Sequence, residues 1–241
     1  MKVNICGYGQ VAPGEYEGVS ISGSGKMSGL VRCDSFSSSG TSKGGELDCK
    51  GTVKISGSSS FSGSVRGESL TVSGAMELGG HLTINGELKC SGALECGGNN
   101  HCTTLKVSGD VETDGGVEAE SVTVSGILDC EGLLNAETIA ITGAGMKIGS
   151  IGGSNITIRR AKAMSKLSRI PLLSSVLKTV SGEVVVPGGI EGDTIVLENV
   201  KTPTVSGRAV TIEADCDIDL VRYSESITVS PKARVGRTEQ I

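Results

Sequence analysis

The chain has no tryptophan, two phenylalanines and three tyrosines among its 241 residues. A core anchored on large aromatic side chains is thereby excluded, and any interior must be narrow. No run approaches the roughly 20 apolar residues that a membrane span needs. The opening MKVNICGYGQ lacks the apolar stretch of a secretory signal, so the cytoplasm is the expected compartment. In that compartment the eight cysteines (Cys6, Cys33, Cys49, Cys90, Cys96, Cys102, Cys130, Cys216) read as free thiols, most of them small buried hydrophobes. Cys90, Cys96 and Cys102 lie six apart beside His101, but no close C-x2-4-C pair accompanies them, so neither metal nor cofactor is expected. With a net charge of −5, and no basic stripe with stacking aromatics, nucleic acid is not an expected partner.

What is abundant is glycine, 37 residues, and it recurs at a fixed interval. The stretch SVTVSGILDCEG from Ser121 has near-copies in TLKVSGDVETDG from Thr104 and TIAITGAGMKIG from Thr138. Gly23, Gly40, Gly57, Gly74, Gly92, Gly109, Gly126 and Gly143 mark successive copies, in steps of 17 with one step of 18. A flexible Gly/Ser linker would keep no such period. Within a period the inward candidates alternate: Val122, Val124, Gly126, Leu128, Cys130, Gly132, Leu134 and Ala136, followed by Ile139 after one extra residue. Period two is the strand signature, and the extra residue restores phase at a corner. The expected fold is therefore all-β, a parallel β-helix solenoid with triangular coils of about 17 residues. Glycine and serine take its bends, where φ is unusual or side chains would collide. One interior row should read Met27, Gly44, Phe61, Leu78, Cys96, Thr113 and Cys130.

After Ile158 the pattern breaks. RRAKAMSKLSRIPLLSSVLKT spans 159–179, within an acid-free window from Thr138 to Gly182. Strand-like phrases then resume, with Val210/Ile212 and Ile227/Val229 again 17 apart. The organisation expected is a solenoid section over 1–158, a basic amphipathic insert over 159–179 and a second solenoid section over 180–241. Cations (Arg159, Arg160, Lys162, Lys166, Arg169, Lys178) and apolar residues (Leu167, Ile170, Leu172, Leu173, Val176, Leu177) make the insert a candidate for binding an anionic membrane or a partner protein. Pro171 divides it into two short pieces.

Catalysis finds little support. His81 and His101 are the only histidines, and the acids Glu112, Asp114, Glu118, Glu120, Asp129 and Glu131 mostly fall on outward positions. No nucleophile, base and oxyanion site assemble in the sequence, so a non-enzyme is expected. An enzyme would need a groove holding His81 or His101 beside acids.

The phrases VSISGSGKMSG, VKISGSSSFSGSV and LKVSGDVETDGGVEAESVTVSG, followed by GGSNITIRR, IEGDTIVLENV and DLVRYSESITV, resemble the bactofilins. More closely, they resemble the two-section polymer-forming cytoskeletal proteins of Gram-positive bacteria, over roughly residues 18–232. The resemblance implies a right-handed β-helix, nucleotide-independent polymerisation and a scaffold role in cell shape or envelope organisation. Physically, a solenoid ends in rows of unpaired strand edges, so stacking end to end continues the ladder between subunits. The expected partners are thus further copies of the chain, with the inner face of the cell membrane or envelope proteins as a second surface. The competing expectation is a monomeric or dimeric solenoid adaptor with capped ends, whose basic insert recruits a partner or membrane.

Overall fold

In the computed structural model the described residues are 1–161 and 182–241, and all of their regular structure is β, 26 strands joined in one parallel sheet. The chain winds as a β-solenoid of about 13 turns. Each turn contributes one strand to each of three ladders. The first ladder starts with Lys2–Ile5 against Gly18–Ile21, the second with Tyr8–Val11 against Ser24–Met27, the third with Gly14–Tyr16 against Leu30–Cys33. At about 4.8 Å per rung, such a stack is roughly 60 Å long.

The glycine period is the pitch of this winding. Thr52 pairs with Ser69 and Asp110 with Ile127, each 17 residues on. The single step of 18 is absorbed at one corner: Gly67 faces Ile84, but Leu70 faces Leu88, so the extra residue lies in the Asn85–Gly86 bend. Corners take such changes because the rungs on each flat face keep their own pairing.

Alternation places Val, Ile, Leu and Cys inside, and the interior is one continuous apolar column from Ile5 to Val221. The row Met27, Phe61, Leu78, Cys96, Thr113, Cys130 is buried as the period requires. Gly44, in the same row, leaves room for its neighbours: a Cβ there would stand 2.8 Å from Met27 Cε and 3.2 Å from Phe61 Cδ1. Phe36 and Phe61 meet edge to face with ring centroids 6.0 Å apart, the only aromatic pair this thin shaft accommodates among the described residues. Two interior serines, Ser42 and Ser59, satisfy each other across neighbouring rungs at 2.7 Å.

The marker glycines are needed for space. Their φ values are ordinary, and the positive-φ glycines (Gly14, Gly29, Gly145, Gly189) lie elsewhere. A Cβ on Gly40, Gly57, Gly74, Gly92, Gly109 or Gly126 would run into backbone carbonyl groups of the corner one coil earlier. Gly7 heads the same column, and a Cβ there meets nothing within 4 Å.

Strands on the two sides of the insert pair directly, Ile156 with Ile195 and Ile151 with Ile190. The excursion leaves from one corner and the ladders close behind it. Beyond it the coils shorten, since Ile190 pairs with Val205 and Lys201 with Asp217 before the spacing returns to 17 at Val210 and Ile227. The stretch before Val19 forms a full first coil, and Arg234–Gln240 in the C-terminal stretch is a strand paired with Asp217–Tyr223. The first coil is 16 residues on two of its faces, and the last lacks marker glycines.

Candidate assembly interface

Ladders that stop leave hydrogen-bonding groups open. Among the described residues, Lys2–Ile5, Tyr8–Val11 and Gly14–Tyr16 each pair with one neighbour only, on the side of the second coil. At the other end, among the described residues, Arg234–Gln240 pairs only with the strand before it, and Ser226–Val229 has no following rung. Apolar side chains sit on these last rungs: Val3 and Tyr16 are half-buried at one end, Ile227 and Val235 at the other, and Val229 is exposed. Little covers the first coil beyond its own residues. The terminal amine pairs with Glu17, whose carboxyl it holds below the ordinary range, and Tyr16 Oη donates to the Ala12 carbonyl at 2.9 Å.

Of the residues expected to bind a membrane or partner, Lys162, Lys166, Leu167, Arg169, Ile170, Leu172, Leu173, Val176, Leu177 and Lys178 lie outside the described residues. Arg159 and Arg160 are described, and both are engaged with the following coils. Arg159 pairs with Glu213 at 3.3 Å, and Arg160 pairs with Asp215 at 3.1 Å. The Arg160 amide donates to Glu198 at 3.2 Å, while its guanidinium also donates to the Asn199 side-chain oxygen. Asn199 is buried, at φ 60°, and its side-chain nitrogen donates to the Gly182 carbonyl at 2.8 Å. Thus one asparagine ties the outgoing and returning stems of the insert together. Sequence reasoning grouped the two arginines by charge and had no signal for these contacts, since the partners stand 38 to 55 residues away.

No family model matches the chain, and no solved structure matches it. Over 52 residues it is 44% identical to a Bacillus subtilis (strain 168) protein whose name is "Uncharacterized protein YhbE". That stretch is 22% of this chain and 22% of the relative, so the similarity spans about a fifth of the relative's length.

The histidines occupy different settings. His81 Nδ1 accepts the Asn99 amide at 3.0 Å, one member of a corner series in which Ser64 Oγ accepts from His81 N–H and Asn99 Oδ1 from Gly116 N–H. His101 stands 3.5 Å from Glu118 over a shallow hollow of about 510 Å³ lined also by Asn99, Leu133 and Asn135. Side-chain exposures of 58% and 71% put that pair in solvent, where the attraction is screened. Among the described residues, no group of three or more His, Cys, Asp or Glu is placed to hold a metal ion.

The interior cysteines pack as the alternation predicts. Burial pushes the Cys102 thiol up to about 12, and those of Cys90 and Cys130 up to about 11. Cys33 and Cys49 face each other on neighbouring rungs. The hydrogen bond between them, reinforced by burial, raises the Cys33 thiol far above the ordinary range, because two thiolates cannot stand side by side inside the shaft.

Proposed function

We propose that this protein is a non-enzymatic scaffold that self-assembles end to end through the termini of its solenoid, in the cytoplasm, organising cell shape or the envelope. The observation that carries this reading is the pair of open ends, a first coil with three one-sided strands and a last coil with an unpaired outer edge. An added copy that continues the parallel ladder satisfies those amides and carbonyls and covers Val3, Ile227, Val229 and Val235. Contact between two different ends is heterologous and does not close, so it propagates into filaments.

Electron microscopy of the purified protein tests the reading: filaments are expected, and short rods at every concentration would overturn it. Gly7→Val sharpens the test. Gly7 is the one marker glycine with open space before it, and a stacked coil would fill that space as it does at Gly23. The variant should keep its β-rich circular dichroism and lose its filaments.

A second reading, an adaptor whose basic segment recruits an anionic membrane or a partner protein, draws support from the Asn199 clamp, which ties both stems of that segment to the rod. Co-sedimentation with anionic vesicles separates the two, because an adaptor binds them as short rods.

A further inference from the structure

The three faces differ in what they present to solvent. On the second face a row of acids, Glu77, Glu95, Glu112 and Asp129, occupies consecutive rungs. Stacked like charges repel any identical row brought against them. Near its two ends the third face pairs opposite charges on neighbouring rungs, Arg32 with Asp48 at 3.6 Å and Arg222 with Glu239 at 3.2 Å.

The first face loses its charges half-way. Its outward row reads Asn4, Ser20, Ser37, Lys54, Thr71, Lys89 and Lys106 on the early coils, then Thr123, Ala140, Thr157, Val196, Thr211 and Thr228. The row two residues before it is likewise uncharged from Ser121 to Ser226, built of Ser, Thr, Asn and Ala. Six consecutive rungs therefore offer two registered rows of short side chains with no charge, in a chain that is 20% charged. Arg159, at the edge of this patch, is paired with Glu213.

We infer that this neutral half-face docks a second copy of the chain side by side, antiparallel, neutral half on neutral half. Charge selects the geometry. A parallel, in-register pair would lay the Lys54 and Lys89 rungs on their own copies, Lys106 being paired with Glu87, whereas a two-fold axis through the middle of the neutral patch sends the two lysine halves outward in opposite directions. Identical rung spacing on both copies lets short side chains seat between one another along the overlap. Six rungs at about 4.8 Å by a four-residue strand of about 13 Å give about 380 Å² per copy, roughly 760 Å² in all. That is below the roughly 1,200 Å² of a stable complex, so the contact is weak between single chains and accumulates where many copies are aligned. The contact does not need the proposed end-to-end stacking.

The test is cross-linking with a short bis-maleimide in a Cys6→Ser, Gly7→Val background, which removes the exposed thiol and blocks end addition, so failure of the filament reading leaves this measurement intact. Thr157→Cys, near the proposed axis, should give covalent dimers several-fold above Glu95→Cys on the acidic face. Mixing Thr123→Cys chains with Thr228→Cys chains should give mixed dimers that neither yields alone, and adding Thr211→Lys should abolish them. Thr157→Cys dimers no more abundant than those of Glu95→Cys would overturn the proposal, as would Thr123→Cys chains linking to each other in preference to Thr228→Cys chains.

Discussion

Replacing Gly74 by alanine tests the physical reason for the 17-residue period. The new Cβ would lie 2.5 Å from the Ser56 carbonyl oxygen and closer still to that of Gly57. Those oxygens are backbone, and hydrogen bonds already hold this corner: Ala75 N–H donates to Gly57 O at 2.9 Å, while Ser73 and Gly74 N–H donate to the neighbouring Ile55 O at 2.7 and 3.3 Å. The corner must open, which strains packing by about 1–3 kcal/mol and weakens up to three hydrogen bonds at about 1 kcal/mol each. A loss of about 3–5 kcal/mol is expected on those two terms. Gly7→Ala is the matched control, since it belongs to the same column and meets nothing within 4 Å. It should fall within about 0.5 kcal/mol of the parent, or gain slightly from a stiffer unfolded chain. The assay is urea unfolding followed by far-UV circular dichroism, with both variants at a protein concentration where no filaments form. If Gly74→Ala lies within about 1 kcal/mol of Gly7→Ala, the close-approach explanation of the glycine column is wrong.

Three further outcomes are expected. His81→Ala removes the acceptor for the Asn99 amide and should cost about 0.5–1 kcal/mol, whereas His81→Asn should recover most of it, because Asn99 performs the same task for Gly116; matched melting curves check this. Asn199→Ala should cost about 2 kcal/mol, from the left-handed backbone and the lost bonds to Gly182 and Arg160, and Asn199→Gly should restore only the backbone share in the same measurement. Alkali should destabilise the fold through the buried thiols: an unfolded Cys102 ionises near pH 8.5–9, whereas the folded one holds its proton to about 12. Stability is unaffected by this group below pH 9 and falls above it by up to about 1.4 kcal/mol per pH unit, and Cys102→Ala should flatten that slope in a pH series of urea midpoints.

The solenoid was legible because two independent signals, the glycine interval and the period-two alternation, agree at every copy from Gly23 to Gly143. Interior identity followed from it, as Phe61, Cys96 and Cys130 show. The ends were harder to read, because a coil without its marker glycine, such as the one carrying Arg234–Gln240, still forms when alternation and ladder bonds suffice. The clamp at the insert was invisible for a different reason. Asn199 looks like a turn residue in LENV, and nothing local says that its amide bridges Gly182 and Arg160 across two stems that only folding brings together.

Separate control of faces and corners explains how one chain can carry several surface chemistries. Outward residues do not touch the core, so a row can change from lysine to threonine between Lys106 and Thr123 while Leu105 and Val122 beneath stay registered and buried. Corners accommodate length: a coil of 18 at Gly74 to Gly92, an excursion after Ala161 and a shortened coil near Ile190 all leave the neighbouring rungs paired. Selection on the outside of such a rod is therefore nearly free of the constraint that fixes its inside. In an end-to-end scaffold, the terminal coils would set whether copies join and the exposed rows would set what lies alongside, so substitutions at Gly7 and at Thr157 should act on different properties of the same assembly.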